Sequence, residues 1–182
     1  NDGFSQWHDV RLPVTEEKIL NELWKLKEAK LDTIVWGTGP GSTQCYDTKV
    51  GDIFGYEVTD EQWEKFFRTG DLYVHKNTKG MIDQGINMYG LLAEEAHKKG
   101  IKLYSRLEMN HEYGPDTDDV NHSQYWMWLG FIGEFNKNNP QYRIAPDKQH
   151  FGSTNLDFKH KEVRDYKLSI LREVAEKGVD GI

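Results

Sequence analysis

A helix-to-strand junction that occurs three times constrains the fold of this chain more than any other feature. In each copy, apolar residues at helical spacing lead into lysines, and an apolar strand follows almost at once. The three copies cover residues 23–37, 91–107 and 168–182. Helix, tight turn and strand in repetition are typical of βα units, so the pattern predicts a parallel sheet.

The ends of the predicted helices carry local signals. Thr15 stands before two glutamates and is predicted to cap the first helix. Gly100 and Gly178 end the second and third helices, where a left-handed residue commonly closes the last turn. Apolar residues recurring every three or so positions predict a further helix from about Ser123 to Asn136.

The spacing of the predicted strands indicates unusually long loops. The strands begin at Leu31, Ile101 and Val179, 70 and 78 residues apart, whereas a minimal βαβ unit takes about 30 residues. The excess follows each strand, at the carboxyl ends where βα architectures bind ligands. Because the third strand has barely begun at Ile182, we interpret residues 1–182 as one domain of a longer protein, cut at both ends.

Composition excludes several classes of protein. The 30 acidic residues exceed the 23 basic ones, for a net charge of −7, which argues against a general nucleic-acid binder. No apolar stretch approaches the roughly 20 residues that span a bilayer. The single cysteine, Cys45, excludes an internal disulfide framework and a multi-cysteine zinc site.

Several passages are similar to ones in glycosyl-hydrolase-like (β/α) barrel proteins, including the amylase-like ones. They are KEVRDY at 161–166 with GVDGI at 178–182, AHKKGIKLY at 96–104, and NDG at 1–3. The resemblance implies an α/β fold, namely the N-terminal half of a (β/α)8 TIM barrel that covers about strands 2 to 4 and has long βα loops. The sequence departs from the family at residues 159–161, where Lys-His-Lys replaces a commoner small residue, His and Pro.

The resemblance also implies a function. The expected protein is a glycoside hydrolase that acts on a polysaccharide or oligosaccharide by carboxylate acid/base catalysis, without a cofactor. Members of the family usually carry a functional carboxylate a few residues beyond the position of Ile182, so the chain is expected to be inactive alone. A non-catalytic carbohydrate-binding barrel is the alternative. A polysaccharide substrate would favour an exported protein over a cytoplasmic one.

The strongest catalytic candidate is Glu108, which follows the second predicted strand. A strand period of two places four residues on one face: Tyr104, Arg106, Glu108 and Asn110. Glu108 would then supply the acid/base carboxylate, and Arg106, Asn110 and His111 would orient it or bind sugar hydroxyls. An interior ion pair between Arg106 and Glu108, with no catalytic role, is equally compatible with the pattern.

Aromatic residues after the first strand suggest a platform for sugar rings. Trp36 and Tyr46 are predicted to stack on the substrate, and Asp47 is predicted to bind a hydroxyl group. Core packing of Trp36 is the alternative. Residues 37–42 hold three glycines, but no helical period follows them, so a dinucleotide-binding loop is not supported.

Other sites are weaker. Asp180 lies at the start of its strand, which favours a structural role, and Glu112 is predicted to be a solvated loop residue. Residues 116–119 are acidic but lack the spacing of an EF-hand loop, and no His-Glu-x-x-His pattern is present. No metal site is therefore predicted, although a hydrolase using a metal at His111 is a third hypothesis.

A sheet of about three strands would expose apolar surface, which predicts self-association.

Overall fold

The computed structural model of the chain describes residues 1–25, 30–112, 114–145 and 152–182. Its helices are α1 (Glu16–Leu23), α2 (Asp60–Phe66), α3 (Thr69–Asp83), α4 (Met88–His97), α5 (Tyr125–Gly130), α6 (Glu134–Asn138) and α7 (Lys161–Ala175). Two 3-10 helices cover Ser5–His8 and Pro140–Tyr142. The strands are β1 (Thr33–Gly37), β2 (Thr43–Gln44), β3 (Asp52–Ile53) and β4 (Lys102–Arg106).

The main sheet consists of β1 and β4, which lie parallel from the Thr33–Lys102 pair to the Gly37–Arg106 pair. The third junction adds only an isolated parallel bridge between Tyr104 and Gly181. Strands β2 and β3 form a separate parallel pair within the long segment that follows β1.

The predicted partial TIM barrel is wrong. Within the described ranges, the chain has seven helices and only four short strands, which form two sheets of two strands each. The long segments after β1 and β4 fold into short helices and the β2–β3 pair, so they add no strands to the main sheet. Two parallel strands of five residues do not enclose a barrel interior.

Several local predictions are confirmed. The Thr15 side chain accepts a hydrogen bond from the Lys18 amide at 3.3 Å and caps α1. Gly100 and Gly178 have φ values of 71° and 94°, in the left-handed region that a side chain would disfavour. Helix α1 ends at Leu23, so the predicted helix does not continue through Trp24 and Lys25. Residues 26–29, which the prediction also covered, lie outside the described residues.

The helix predicted from Ser123 to Asn136 is interrupted, because the chain forms α5 and α6 instead. Gly133 lies between them, in extended backbone with φ −73° and ψ 162°. A Cβ atom at this glycine would lie 2.7 Å from an Asp52 carboxylate oxygen and 2.9 Å from the Ser42 Cβ. The close approach to these two side chains leaves no room for a side chain at position 133.

The core lies on one face of the main sheet. Strand β4 alternates between exposed and buried residues, with Leu103 and Ser105 on the buried face. Helix α4 packs against β4, and α1 packs against α4. Tyr89 of α4 donates a hydrogen bond to the Gly37 carbonyl oxygen at 3.1 Å. The other face leaves Val35 and Tyr104 exposed.

A buried ion pair joins the segments that follow the strands. Lys167 of α7 and Glu112, beyond β4, are both fully buried, and the Lys167 ammonium contacts the Glu112 carboxylate. Lys167 Nζ also donates to Ser42 Oγ at 2.8 Å, and Ser42 Oγ donates to Glu112 Oε1 at 2.5 Å. The prediction that Glu112 is a solvated loop residue is therefore wrong.

Further hydrogen bonds extend this ion pair into a network. Asn136 Nδ2 donates to Glu112 Oε2 at 2.8 Å, and Arg143 Nε donates to Asn136 Oδ1 at 2.8 Å. Arg143 also contacts the Asp116 carboxylate, and Thr154 Oγ1 donates to the Glu112 carbonyl oxygen at 2.6 Å. Buried charges are stable only when they are paired and hydrogen-bonded, so these segments must fold together.

No helix in the described part of the chain is long and apolar enough to cross a membrane.

Replacement of Lys167 by Met should destabilise the fold by roughly 3–5 kcal/mol, because the Glu112 carboxylate would remain buried without its cation. The free energy of unfolding can be measured by urea denaturation followed by circular dichroism. Lys161→Met is the matched control: Lys161 lies in the same helix, is exposed, and forms an ion pair with Asp165 one turn away. Its loss should change stability by less than about 1 kcal/mol. Equal losses in the two variants would contradict the proposed role of the ion pair.

His75 should make stability depend on pH. Burial beside Trp63 lowers the pKa of His75, and this effect outweighs the opposing hydrogen bond from its Nδ1 to the Phe54 carbonyl oxygen at 2.8 Å. Since the folded state disfavours the protonated ring, stability should be complete above the ordinary histidine pKa of about 6.5 and fall as the pH drops below it. Urea midpoints at pH 7.5 and 5.5 should differ more for the wild type than for His75→Gln. Equal differences would contradict this assignment.

Candidate functional site

An open cavity of about 300 Å³ lies at the carboxyl end of the main sheet. We call it the Glu108 cavity. Four parts of the chain line it: the N-terminal segment, the loop after β1, the segment after β4, and the chain near α3 and α5. The lining residues are Asp2, Phe4, Ser5, His8, Gly39, Pro40, Arg68, Glu108, His111 and Phe131.

Two neighbours orient the Glu108 side chain. Arg106, the last residue of β4, donates from Nη2 to Glu108 Oε1 at 2.6 Å. His111 Nδ1 contacts Glu108 Oε2, and the His111 amide reaches back to the Glu108 carbonyl oxygen at 3.5 Å in a turn. The Glu108 side chain keeps 32% of its surface exposed, so a ligand in the cavity can reach it.

The N-terminal segment brings Asp2 to the cavity through close packing on the end of β1. A Cβ atom on Gly3, whose φ is 77°, would lie 1.9 Å from the Gly37 carbonyl oxygen. Asp2 accepts hydrogen bonds from the Phe4 and Ser5 amides and from Ser5 Oγ. Partial burial opposes ionisation, but these hydrogen bonds outweigh it and hold the pKa of Asp2 below its usual value.

A charged cluster forms the far wall of the cavity. Arg68 binds the buried Asp71 carboxylate with two parallel bonds, from Nε at 3.0 Å and from Nη2 at 2.9 Å. This contact raises the pKa of Arg68 above its usual value. His8 Nε2 lies 3.4 Å from the same carboxylate. Asp71 therefore holds the permanently positive guanidinium of Arg68, whereas His8 Nε2 lies nearby without a hydrogen-bond partner among the described residues.

Aromatic rings form the apolar part of the cavity. The Phe4 and Phe131 ring centroids are 5.7 Å apart, and Phe4 also contacts the edge of His8 at 5.2 Å. His111 lies 6.5 Å from Phe131. Aromatic faces beside charged and hydrogen-bonding groups match the mixed surface of a sugar, which has apolar C–H faces and polar hydroxyls.

The structure brings together only some of the predicted site residues. Glu108 and His111 both line the cavity, and Arg106 holds Glu108. The alternative ion pair between Arg106 and Glu108 is also present, but both side chains are partly exposed, so it is not an interior pair.

The prediction that Trp36 and Tyr46 stack on a sugar is wrong, because only 1% of the surface of each residue is exposed. Trp36 packs in the core against Trp7, with ring centroids 6.1 Å apart, as the core-packing alternative predicted. The Tyr46 hydroxyl donates to Glu173 Oε2 at 2.8 Å. Neither ring is available to stack on a ligand.

Asp47 and Asn110 do not line the Glu108 cavity. Asp47 pairs with Lys49 at 2.5 Å. Both polar atoms of the Asn110 amide bond the Leu156 backbone, at 2.9 and 3.2 Å, so this side chain closes a loop.

Asp180 lies at the other end of the sheet, away from the Glu108 cavity. It contacts His97 Nε2 at 2.8 Å and accepts a hydrogen bond from the Leu103 amide at 2.8 Å. The contact with His97 is the main reason that the pKa of Asp180 is lowered.

A larger cavity, of about 580 Å³, lies beside the last turns of α7. Its most central carboxylate, Glu173, already accepts hydrogen bonds from Tyr46, Thr48 and the Lys49 amide. Because that group is satisfied within the protein, size alone does not make this cavity the better candidate site.

Six residues of the Glu108 cavity were not predicted from the sequence: Asp2, Phe4, Ser5, His8, Arg68 and Phe131. No local pattern links them to Glu108, since most precede it by some 40 to 106 residues. One sequence feature pointed to this region: residues 1–3 are similar to a loop that leaves a barrel strand. That similarity placed residues 1–3 near the strand ends but gave none of them a function.

Neither a metal ion nor the Cys45 thiol is supported as a reactive group by the described residues. No group of three or more His, Cys, Asp and Glu residues that could hold a metal ion occurs in the part of the chain that the structure describes. The hypothesis of a metal at His111 therefore has no ligand set there. Cys45 is fully buried, and burial raises the pKa of its thiol far above the ordinary value.

The chain matches no protein-family model, and no curated protein matches it at a significant level. Its function must therefore be argued from the chemistry of the Glu108 cavity.

Proposed function

We propose that this chain binds a carbohydrate in the Glu108 cavity and that Glu108 is the catalytic carboxylate in hydrolysis of a glycosidic bond. One observation carries the proposal: an oriented, partly exposed carboxylate lies in an open cavity that also holds aromatic rings and hydrogen-bonding groups. Glycoside hydrolysis needs these elements together.

The contacts of Glu108 suit one of the two carboxylate roles in this reaction. Both of its oxygens have partners, Arg106 and His111, which is the bonding pattern of an ionised carboxylate. An ionised carboxylate acts as nucleophile or as general base, whereas the leaving group needs a proton donor. His8 and His111 are the cavity residues whose ring N–H groups can donate a proton.

Asp2 is better suited to binding than to proton donation. Its hydrogen bonds from Ser5 and the neighbouring amides keep it ionised. An ionised carboxylate at this position can accept hydrogen bonds from sugar hydroxyls, and it can stabilise positive charge that develops on the sugar ring.

A second candidate function is carbohydrate binding without hydrolysis. The state of Asp2 favours it: among the described residues Asp2 is the other carboxylate that lines this cavity, its pKa is lowered, and it is already hydrogen-bonded. The cavity then lacks the carboxylic acid that most glycosidases use to protonate the leaving group. Sugar binding would be the same in both candidates, and only turnover would differ.

Replacement of Glu108 by Gln should separate these candidates. If Glu108 is the reactive carboxylate, the variant should lose about 100-fold or more in kcat and keep its affinity for oligosaccharides within a few fold. Turnover of a panel of aryl glycosides should be measured in the longest natural polypeptide that contains this sequence. Binding should be measured by calorimetry.

Glu94→Gln is the control for this experiment, since Glu94 is an exposed residue of α4, outside the Glu108 cavity, that forms an ion pair with Lys98. It should change neither turnover nor binding. Unchanged turnover in Glu108→Gln would overturn the catalytic role, and binding without any turnover in the wild type would select the second candidate. Absence of oligosaccharide binding would overturn both.

Self-association stays a prediction, and the open face of the main sheet supports it. Val35 and Tyr104 point away from the core and retain 43% and 36% of their surface. If two copies pair through this face, Val35→Lys should shift the sedimentation profile toward monomer, because a buried lysine would lack a partner. The same change should leave thermal stability nearly unaltered. A wild type that sediments as a monomer at all concentrations would contradict the prediction.

A further inference from the structure

A second cavity, of about 350 Å³, adjoins the Glu108 cavity, and we call it the Arg11 cavity. Its lining residues are His8, Asp9, Arg11, Arg68, Thr69, Gly70 and Tyr73. His8 and Arg68 line both cavities, so the two share a wall. Together they offer the space of a ligand site with more than one subsite.

We propose that the Arg11 cavity is a subsite for an acidic sugar and binds the carboxylate of a uronic acid residue. The inference rests on the proposed carbohydrate function of the Glu108 cavity and deepens it by naming the substrate class. An acidic oligosaccharide would lie across the His8–Arg68 wall, with a uronate on one side and the scissile bond beside Glu108 on the other.

Arg11 carries the charge that selects the ligand. Its guanidinium carbon lies 4.9 Å from the centre of the Tyr73 ring, so an aromatic face holds the cation over the cavity. Its backbone carbonyl accepts a hydrogen bond from Lys18 Nζ at 2.6 Å, which fixes the main chain. Among the described residues, no carboxylate forms an ion pair with the Arg11 side chain. An unpaired, positioned guanidinium is suited to an external anion.

Arg68 supplies a second set of donors in a fixed position. Its Nε and Nη2 atoms bind Asp71 and lock the plane of the guanidinium. The N–H groups of Nη1 are not used in that contact and remain able to donate to a ligand. Asp71 offsets the charge of Arg68, whereas Arg11 has no ion-pair partner among the described residues. Asp9 also lines the cavity, and its carboxylate forms no ion pair with Arg11.

The geometry of arginine favours a carboxylate as the partner. A planar guanidinium binds two coplanar oxygens with parallel hydrogen bonds, and such charge-assisted bonds are among the strongest in proteins. The Tyr73 ring adds an apolar surface beside the cation, which suits the C–H face of a sugar that carries the carboxylate.

The test compares acidic oligosaccharides with their carboxyl-reduced counterparts, in which each uronic acid has become the neutral sugar. Affinities for glucuronate-, galacturonate- and mannuronate-containing oligomers and their reduced forms are measured by calorimetry at two salt concentrations. At least one acidic oligomer should bind about tenfold or more tightly than its reduced form. This preference should shrink at high salt, because Arg11 is exposed.

Arg11→Gln should lower the affinity for that acidic oligomer to the level of the reduced one and leave the reduced form unaffected. Lys76→Gln is the matched control, since it removes the same charge from an exposed site in α3 outside both cavities. It should preserve the preference. Thermal melting of each variant confirms that the fold is intact.

The outcomes separate this inference from the proposed function. Equal binding of acidic and reduced oligomers would overturn the uronate subsite and leave carbohydrate binding in place. A preference that survives Arg11→Gln would also overturn it, as would selective binding of sulfated sugars over uronates. If no oligosaccharide binds at all, the proposed function itself fails.

Discussion

The buried contact between Lys167 and Glu112 is the interaction on which the arrangement of this protein depends. It joins α7 to the segment after β4, and through Ser42 it also reaches the loop after β1. A lysine and a glutamate without solvent are stable only when each has its partner in place. The loops at the strand ends are therefore fixed by charge pairing as well as by apolar packing.

This network also positions the candidate site. Glu112 lies four residues beyond Glu108 and one beyond His111, so anchoring Glu112 limits how far the cavity-lining part of the segment can move. On the opposite side, Gly3 packs directly on Gly37 and brings Asp2 to the same cavity. Phe54 contacts both Phe4 and Phe131 from beneath, with ring centroids 4.9 and 5.0 Å away. A catalytic carboxylate keeps its orientation when the residues around it are held in place by packing and hydrogen bonds, as they are here.

The two-residue alternation of side chains along a strand explains why some predictions of site residues were right and others were wrong. In β4, the alternation correctly put Arg106 and Glu108 together, because neighbouring side chains on one strand face meet whatever the rest of the fold does. In β1, the same alternation puts Trp36 on the buried face. The sequence could not show which face the core would cover, since tryptophan is compatible with both. Similarly, nothing local distinguished Glu112, which is buried against Lys167, from an ordinary charged loop residue.

The sequence by itself determined the local structure: the Thr15 cap, the glycine-terminated helices and the extended segments that become β1 and β4. These features depend on residues within a few positions of one another, whose conformational preferences act before any distant contact forms. Only the tertiary structure decided that the long loops fold into their own helices and do not extend a barrel. It also decided that Asp2, His8 and Arg68 meet Glu108 in one cavity. Those contacts join residues 40 to 106 positions apart, and they depend on how packing and buried charges close the chain, which local spacing does not encode.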